Sequence, residues 1–217
     1  MTEDLSRMSS MGLPRYVLVT LFVAALGVLA MGTAVSLLTG LPIGNLTRDP
    51  AALARVNPFT GAISNIGILG WAAGATVCAF TALVLSVRGR FPLMRFFAGA
   101  ALVTVLLLVD DLFMLHDSPL PEFRLDERVF YLAYALAVGA LLLVFPPYAR
   151  RFRTWLIILA GLLFAGSIVI DVFEDPLSAW TPLFEDGCKF LGIVAWLAYW
   201  LDAAMVTVLD PEIVEGG

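Results

Sequence analysis

Long apolar runs separated by short polar connections dominate this chain. Six of them, about 16–38, 65–87, 93–115, 129–147, 154–172 and 187–208, approach or exceed the ~20 residues a helix needs to cross the hydrocarbon of a bilayer. None shows the residue-by-residue alternation of a barrel strand, and a helix satisfies its own backbone groups in lipid. The pattern therefore predicts an all-α, polytopic membrane bundle of six transmembrane helices, forming a single domain over residues 1–217. The acidic start of the last run leaves five spans as the alternative count. The first run is too long for a signal-peptide core and is read as a retained helix. Between the first two runs, Pro50 to Val56 fits a short interfacial helix.

Composition agrees with a membrane home: 60% of the 217 residues are hydrophobic and 14% charged, with a mean hydropathy of +0.92. Arginines fix an orientation. Arg7 and Arg15 precede span one, Arg88, Arg90 and Arg95 lie between spans two and three, and Arg150, Arg151 and Arg153 lie between four and five. With six spans all three groups share a side, which the positive-inside rule makes cytoplasmic, and both termini with it. The expected location is the cell inner (plasma) membrane, multi-pass, with the lipid bilayer as the first partner. A homo-oligomer or a partner in a membrane complex stays open; the arginine pattern is a topology signal and gives no nucleic-acid footprint. Cys78 and Cys188 do not suggest a disulfide framework.

The opposite side is acidic, and the candidate chemistry gathers there. Asp110 and Asp111 close span three, followed by Asp117 and by His116, the sole histidine. With a helical rise of ~1.5 Å per residue, Asp110 lies roughly 22 Å from Arg95 and His116 roughly 31 Å. The aspartates are thus within the hydrocarbon and the histidine at its outer edge. Asp171, Glu174 and Asp175 share a helix face at the end of span five, and Glu185 and Asp186 precede Lys189, the only lysine, at the start of span six. Ionisable groups at membrane depth are costly and point to function.

Hard oxygen ligands with one imidazole suggest an outward-facing divalent metal site of unknown identity, with Asp110, Asp111, His116, Asp171, Glu174, Glu185 and Asp186 as candidate ligands. Asp111, His116 and Glu185 are the candidate catalytic groups, and Lys189 tempers the repulsion. Charge pairs that lock helices together are the plainer alternative. His116 stands about 140° around an ideal helix from Asp111, so it joins the aspartates only if the helix end unwinds or another helix completes the site. Asp202, deep in span six among Trp196, Tyr199 and Trp200, is either a proton-relay group or a protonated, hydrogen-bonded aspartate. Ser64 opens span two as a cap or a site hydroxyl, and Gly67, Gly70 and Gly74 predict close helix packing.

Four stretches carry a resemblance: Arg48-Asp49-Pro50; Gly61-Ala62-Ile63-Ser64-Asn65-Ile66-Gly67 with Trp71; Asp110 through Asp117; and Glu185-Asp186-Gly187-Cys188-Lys189-Phe190-Leu191-Gly192 with Trp196 and Tyr199. Over residues 48–203 they resemble a group of uncharacterised bacterial multi-pass membrane proteins. Ser64, Asp111 and His116 are also similar to part of the Ser, Asp and zinc-binding His set of the alkaline ceramidase and adiponectin-receptor superfamily of membrane hydrolases. That superfamily's last-helix histidine pair is absent here, where Glu185, Asp186 and Lys189 stand instead. Three functions follow as expectations: a metal-dependent membrane-embedded hydrolase acting on a lipid-like substrate, a cation or proton transporter or channel, or an accessory subunit of a membrane complex.

Overall fold

The computed structural model describes residues 15–116, 127–172 and 181–209. Nine α-helices and no strands are found among them: α1 (Arg15–Thr39), α2 (Ile43–Thr47), α3 (Pro50–Ala54), α4 (Ala62–Val87), α5 (Phe91–Phe113), α6 (Glu127–Val144), α7 (Pro146–Ala149), α8 (Thr154–Val172) and α9 (Thr181–Leu209). They fall into two compact units, residues 1–60 and 61–217.

In the first unit α1 is apolar around its whole circumference. The short interfacial helix expected at Pro50 is α3, held at its start by the Asp49 carboxylate, which accepts from the Ala52 N–H at 3.0 Å.

The second unit is built from α4, α5, α8 and α9. Its core gathers Trp71, Cys78 and Leu85 from α4, Phe96, Phe97 and Ala100 from α5, Leu156, Ile157 and Ala160 from α8, and Trp196, Tyr199 and Trp200 from α9. Close approach depends on missing side chains. A Cβ at Gly70 would lie 2.8 Å from Ile193, and one at Gly192 would lie 2.7 to 3.1 Å from three ring atoms of Phe164. That ring stacks on Trp71 at 5.6 Å, so it has little room to yield. Gly192→Leu is therefore expected to destabilise by about 1–3 kcal/mol through overpacking, despite a helix-propensity gain near 1 kcal/mol. Gly139→Ala, where a Cβ meets nothing within 4 Å, should show only the gain; melting of both variants in detergent measures the contrast.

Arg88 and Arg90 flank the tight α4–α5 turn, where Gly89 takes a φ of +72°. They share one end of this unit with Arg95 and with Arg150, Arg151 and Arg153. There the Arg88 guanidinium donates to the Val208 carbonyl at 3.0 Å, and the Tyr199 hydroxyl donates to the Ala149 carbonyl at 3.1 Å.

Five of the expected spans are helices long and apolar enough to cross a membrane, which makes this an integral membrane protein. The remaining one, expected over 129–147, falls on α6 and stops at Val144. Pro146 and Pro147 lack N–H groups, and their rings exclude the turn before them. Its 18 residues give roughly 27 Å of helix, slightly under a ~30 Å hydrocarbon core. The last helix begins six residues earlier than expected, at Thr181, which puts Glu185, Asp186 and Lys189 on regular helix.

Helix α6 is peripheral. Among its described residues Leu141 alone is buried, lying where a Cβ on Gly99 of α5 would come within 2.9 Å. α6 and α8 do not pack closely, and a cavity lies in the space between them.

Candidate functional site

The site begins with the way α5 ends. Met114 adopts the left-handed conformation (φ 49°, ψ 47°), and its N–H and that of Leu115 both return to the Asp110 carbonyl. A non-glycine residue there costs on the order of 1–2 kcal/mol, and what it achieves is a reversal of the chain. His116 is carried back so that its N–H donates to Asp110 Oδ1 at 3.0 Å while its Nδ1 meets Oδ2 at 2.8 Å. The helix end does unwind, and the partner this provides is Asp110. The histidine ring also lies 5.9 Å from that of Tyr131 on α6.

Asp111 points elsewhere, because adjacent helical residues diverge by about 100°. Its Oδ1 accepts from Lys189 Nζ at 2.5 Å, joining α5 to α9. The two aspartates are 6% and 8% exposed, so each carboxylate is taken from solvent and met by its own cationic or proton-donating partner. Below them Trp196 Nε1 donates to Thr104 Oγ1 at 3.1 Å, a second buried tie between the same two helices.

The hydrogen bond to Asp110 is the main reason the His116 pKa stands above its ordinary 6.5; the Asp110 and Asp111 charges add to the rise, while burial and Lys189 oppose it. An imidazole held at Nδ1 by a carboxylate keeps a fixed orientation and offers Nε2 for proton transfer.

The two pairs form the head of a cavity of about 530 Å³. Asp171 of α8 and Glu185 of α9 line the same head, with Tyr131 and Tyr134 of α6 and the buried Ser167. Tyr134 also bears on Asp110. The remaining wall is apolar: Trp71, Leu107, Val138, Leu142, Ile157, Phe164 and Ile168. Ile158, Gly161 and Ala165 line it too and are exposed, so the cavity opens on the flank of the bundle.

Asp110, Asp111, His116, Asp171, Glu185 and Lys189 thus surround one space. Asp186 and Ser64 lie behind it, lining a pocket of about 10 Å³ on the far side of the Asp111–Lys189 pair with Gly67, Phe190 and Ile193. Glu174, with Asp117 and Asp175, is outside the described residues. Asp202 belongs to the other end, where it takes Arg153 Nε at 3.2 Å and the Arg153 N–H at 3.4 Å. The Arg153 guanidinium is the ion-pair partner of this carboxylate. Among the described residues no group of three or more His, Cys, Asp or Glu side chains converges as a metal-ligand set would.

Sequence reading missed Tyr131, Tyr134, Ser167 and the Thr104–Trp196 tie. The tyrosines share a face at i and i+3, a signal easily taken for interfacial aromatics.

Residues 17–203 match the model of a family described as a domain of unknown function (DUF8692). No curated protein and no solved structure matches this chain.

Proposed function

The chain belongs to the DUF8692 family, whose function is unknown, and from the geometry of the site we propose that it is a membrane-embedded hydrolase of lipid-like substrates, in which Asp110 and His116 form a proton-transfer dyad. The observation that carries this reading is a shared wall: the dyad and Lys189 line the head of the same 530 Å³ cavity whose body is apolar. Substrate sites commonly have volumes of about 300–1,000 Å³, mostly apolar with a few convergent polar groups.

Each group has a part. His116 Nε2 takes a proton from water, whose oxygen then attacks the acyl carbon of an ester or amide. The bond to the leaving group breaks, and the imidazolium returns the proton to it. Asp110 holds the ring and stabilises its charged form, as a carboxylate does behind any catalytic imidazole. Lys189 keeps two further N–H donors beyond the one given to Asp111, and these suit the oxygen that gains negative charge. Glu185 and Asp171 hold the polar end of the substrate, and the apolar wall holds its chain. The arginine-bearing end lies at the cytoplasmic face under the positive-inside rule, so the dyad works near the outer one.

A panel of long-chain fluorogenic esters and amides, offered to the full chain in mixed micelles, tests the reading. Wild type should release the reporter from at least one of them, and His116→Gln should lower that rate by about 10²–10⁴-fold, the usual contribution of a general base. Turnover that survives His116→Gln, or none from any acyl substrate, would sink the hydrolase.

A further inference from the structure

Helix α6 is held unevenly. Ala137, Val138, Leu141 and Leu142, with Phe145 just beyond, pack against the core, and the Phe145 ring tilts on Phe96 at 5.7 Å. Residues 128–136, the other half of the helix, contribute nothing to that core. Leu132 and Leu136 there are exposed, and Tyr131 and Tyr134 border the cleft that separates α6 from α8. Pro146 and Pro147 interrupt the backbone where α6 meets α7. A helix packed at one end, broken beside that packing and without apolar burial at the other has the low local stability of elements that move.

The loosely packed half does touch the dyad. The Tyr131 ring lies 5.9 Å from that of His116. One turn on, at i+3, the Tyr134 hydroxyl donates to the Asp110 side chain. Asp110 has room for it, because an ionised carboxylate offers about four acceptor sites, and the His116 N–H and Nδ1 engage one on each oxygen. The same carboxylate therefore orients the imidazole and anchors α6.

We propose that Tyr134 is a positioning residue acting through Asp110: its hydroxyl latches the tyrosine-bearing half of α6 over the head of the cleft, and the latched helix holds Asp110 and His116 in their paired orientation. This deepens the hydrolase reading by naming how the same site is closed, and it rests on that reading only in taking Asp110 and His116 as the working pair. Release of the latch widens the cleft between α6 and α8, and closure restores the pair.

Two measurements on the full chain in maltoside detergent test this without substrate. Spin labels at Leu132→Cys on α6 and Val169→Cys on α8, both exposed positions, give the distance across the cleft. Cys188→Ala in that background leaves the fully buried Cys78 as the one native thiol. Isotope labelling of the sole histidine gives one set of ring-nitrogen resonances, which report its hydrogen bond. Tyr134→Phe keeps the ring and removes one oxygen, so it should fold and melt close to wild type. It should also add a second, longer distance. The ratio of open to closed forms should rise about tenfold or more, as loss of a hydrogen bond to a charged group implies. The Nδ1 resonance of His116 should shift or split. Asp110→Asn, whose amide accepts without a charge, should open α6 to a smaller extent.

A wild-type distance in either variant, or wild-type histidine resonances in Tyr134→Phe, would overturn the proposal. Because no turnover is read, the two readings fail separately. Both changes without acyl hydrolysis would remove the hydrolase and leave the latch. Hydrolysis with neither change would do the reverse.

Discussion

Lys189→Met should be the most destabilising single change at the head of the cleft, lowering stability by about 3 kcal/mol or somewhat less. It removes the ammonium and keeps a stem of similar length. Asp111, 8% exposed, would then hold its charge without the donor it meets at 2.5 Å. Breaking a fully buried pair costs about 3–5 kcal/mol because the other charge is left behind. The Lys189 side chain is 34% exposed, which places this pair toward the low end. Asp111→Asn should be milder, since the ammonium it frees has access to solvent and the amide still accepts a hydrogen bond. The double variant should recover most of the loss, because two neutral groups leave no unpaired charge. Melting of the four proteins under one detergent condition gives the coupling energy. Strictly additive losses would mean that the pair observed between α5 and α9 contributes nothing to stability.

Asp110→Asn should have the largest effect on rate. The amide can still accept the His116 N–H, so the turn after α5 survives, but it cannot stabilise an imidazolium. Turnover should fall by about 10²–10⁴-fold. The pH profile should move as well. In wild type the Asp110 hydrogen bond holds the His116 pKa above 6.5. General-base activity requires the neutral ring, so the rate climbs as pH passes upward through that raised value. Asp110→Asn removes the main upward cause, and the acidic limb should shift to lower pH. Stability runs the opposite way. A histidine whose folded pKa is raised contributes stability that is fully present below 6.5 and lost as pH rises through the folded value. Wild type should therefore lose melting temperature across that window, and Asp110→Asn should not. A profile that stays in place would show that the carboxylate positions the chain without tuning the ring.

The sequence made some of this site legible and hid the rest, for identifiable reasons. Asp110, Asp111 and His116 stand out because charge interrupts an apolar run, and Lys189 because it is the only lysine. Which aspartate takes which partner was hidden. Ideal helical geometry carries His116 away from Asp111, and nothing in Met114 announces a left-handed residue, a conformation usually left to Gly or Asn. The short α6 was legible in Pro146 and Pro147, whose effect on the preceding turn outweighs the apolarity of 129–147. The cleft was not. A void belongs to two helices that fail to meet, and neither Val138 on α6 nor Ile158 on α8 differs in kind from residues that pack. For the same reason, counting acids along three helices does not reveal that Asp110 and Asp111 turn to different partners.

The half-open wall formed by Ile158, Gly161 and Ala165 has a kinetic consequence. A molecule reaching the dyad past these residues arrives from within the leaflet, and its supply is set by abundance among neighbouring lipids, irrespective of the volume of buffer outside. Velocity should accordingly follow the mole fraction of substrate in the bilayer. Adding inert lipid at constant total substrate would slow the proposed hydrolysis, whereas diluting the whole vesicle suspension would leave the turnover of each molecule untouched.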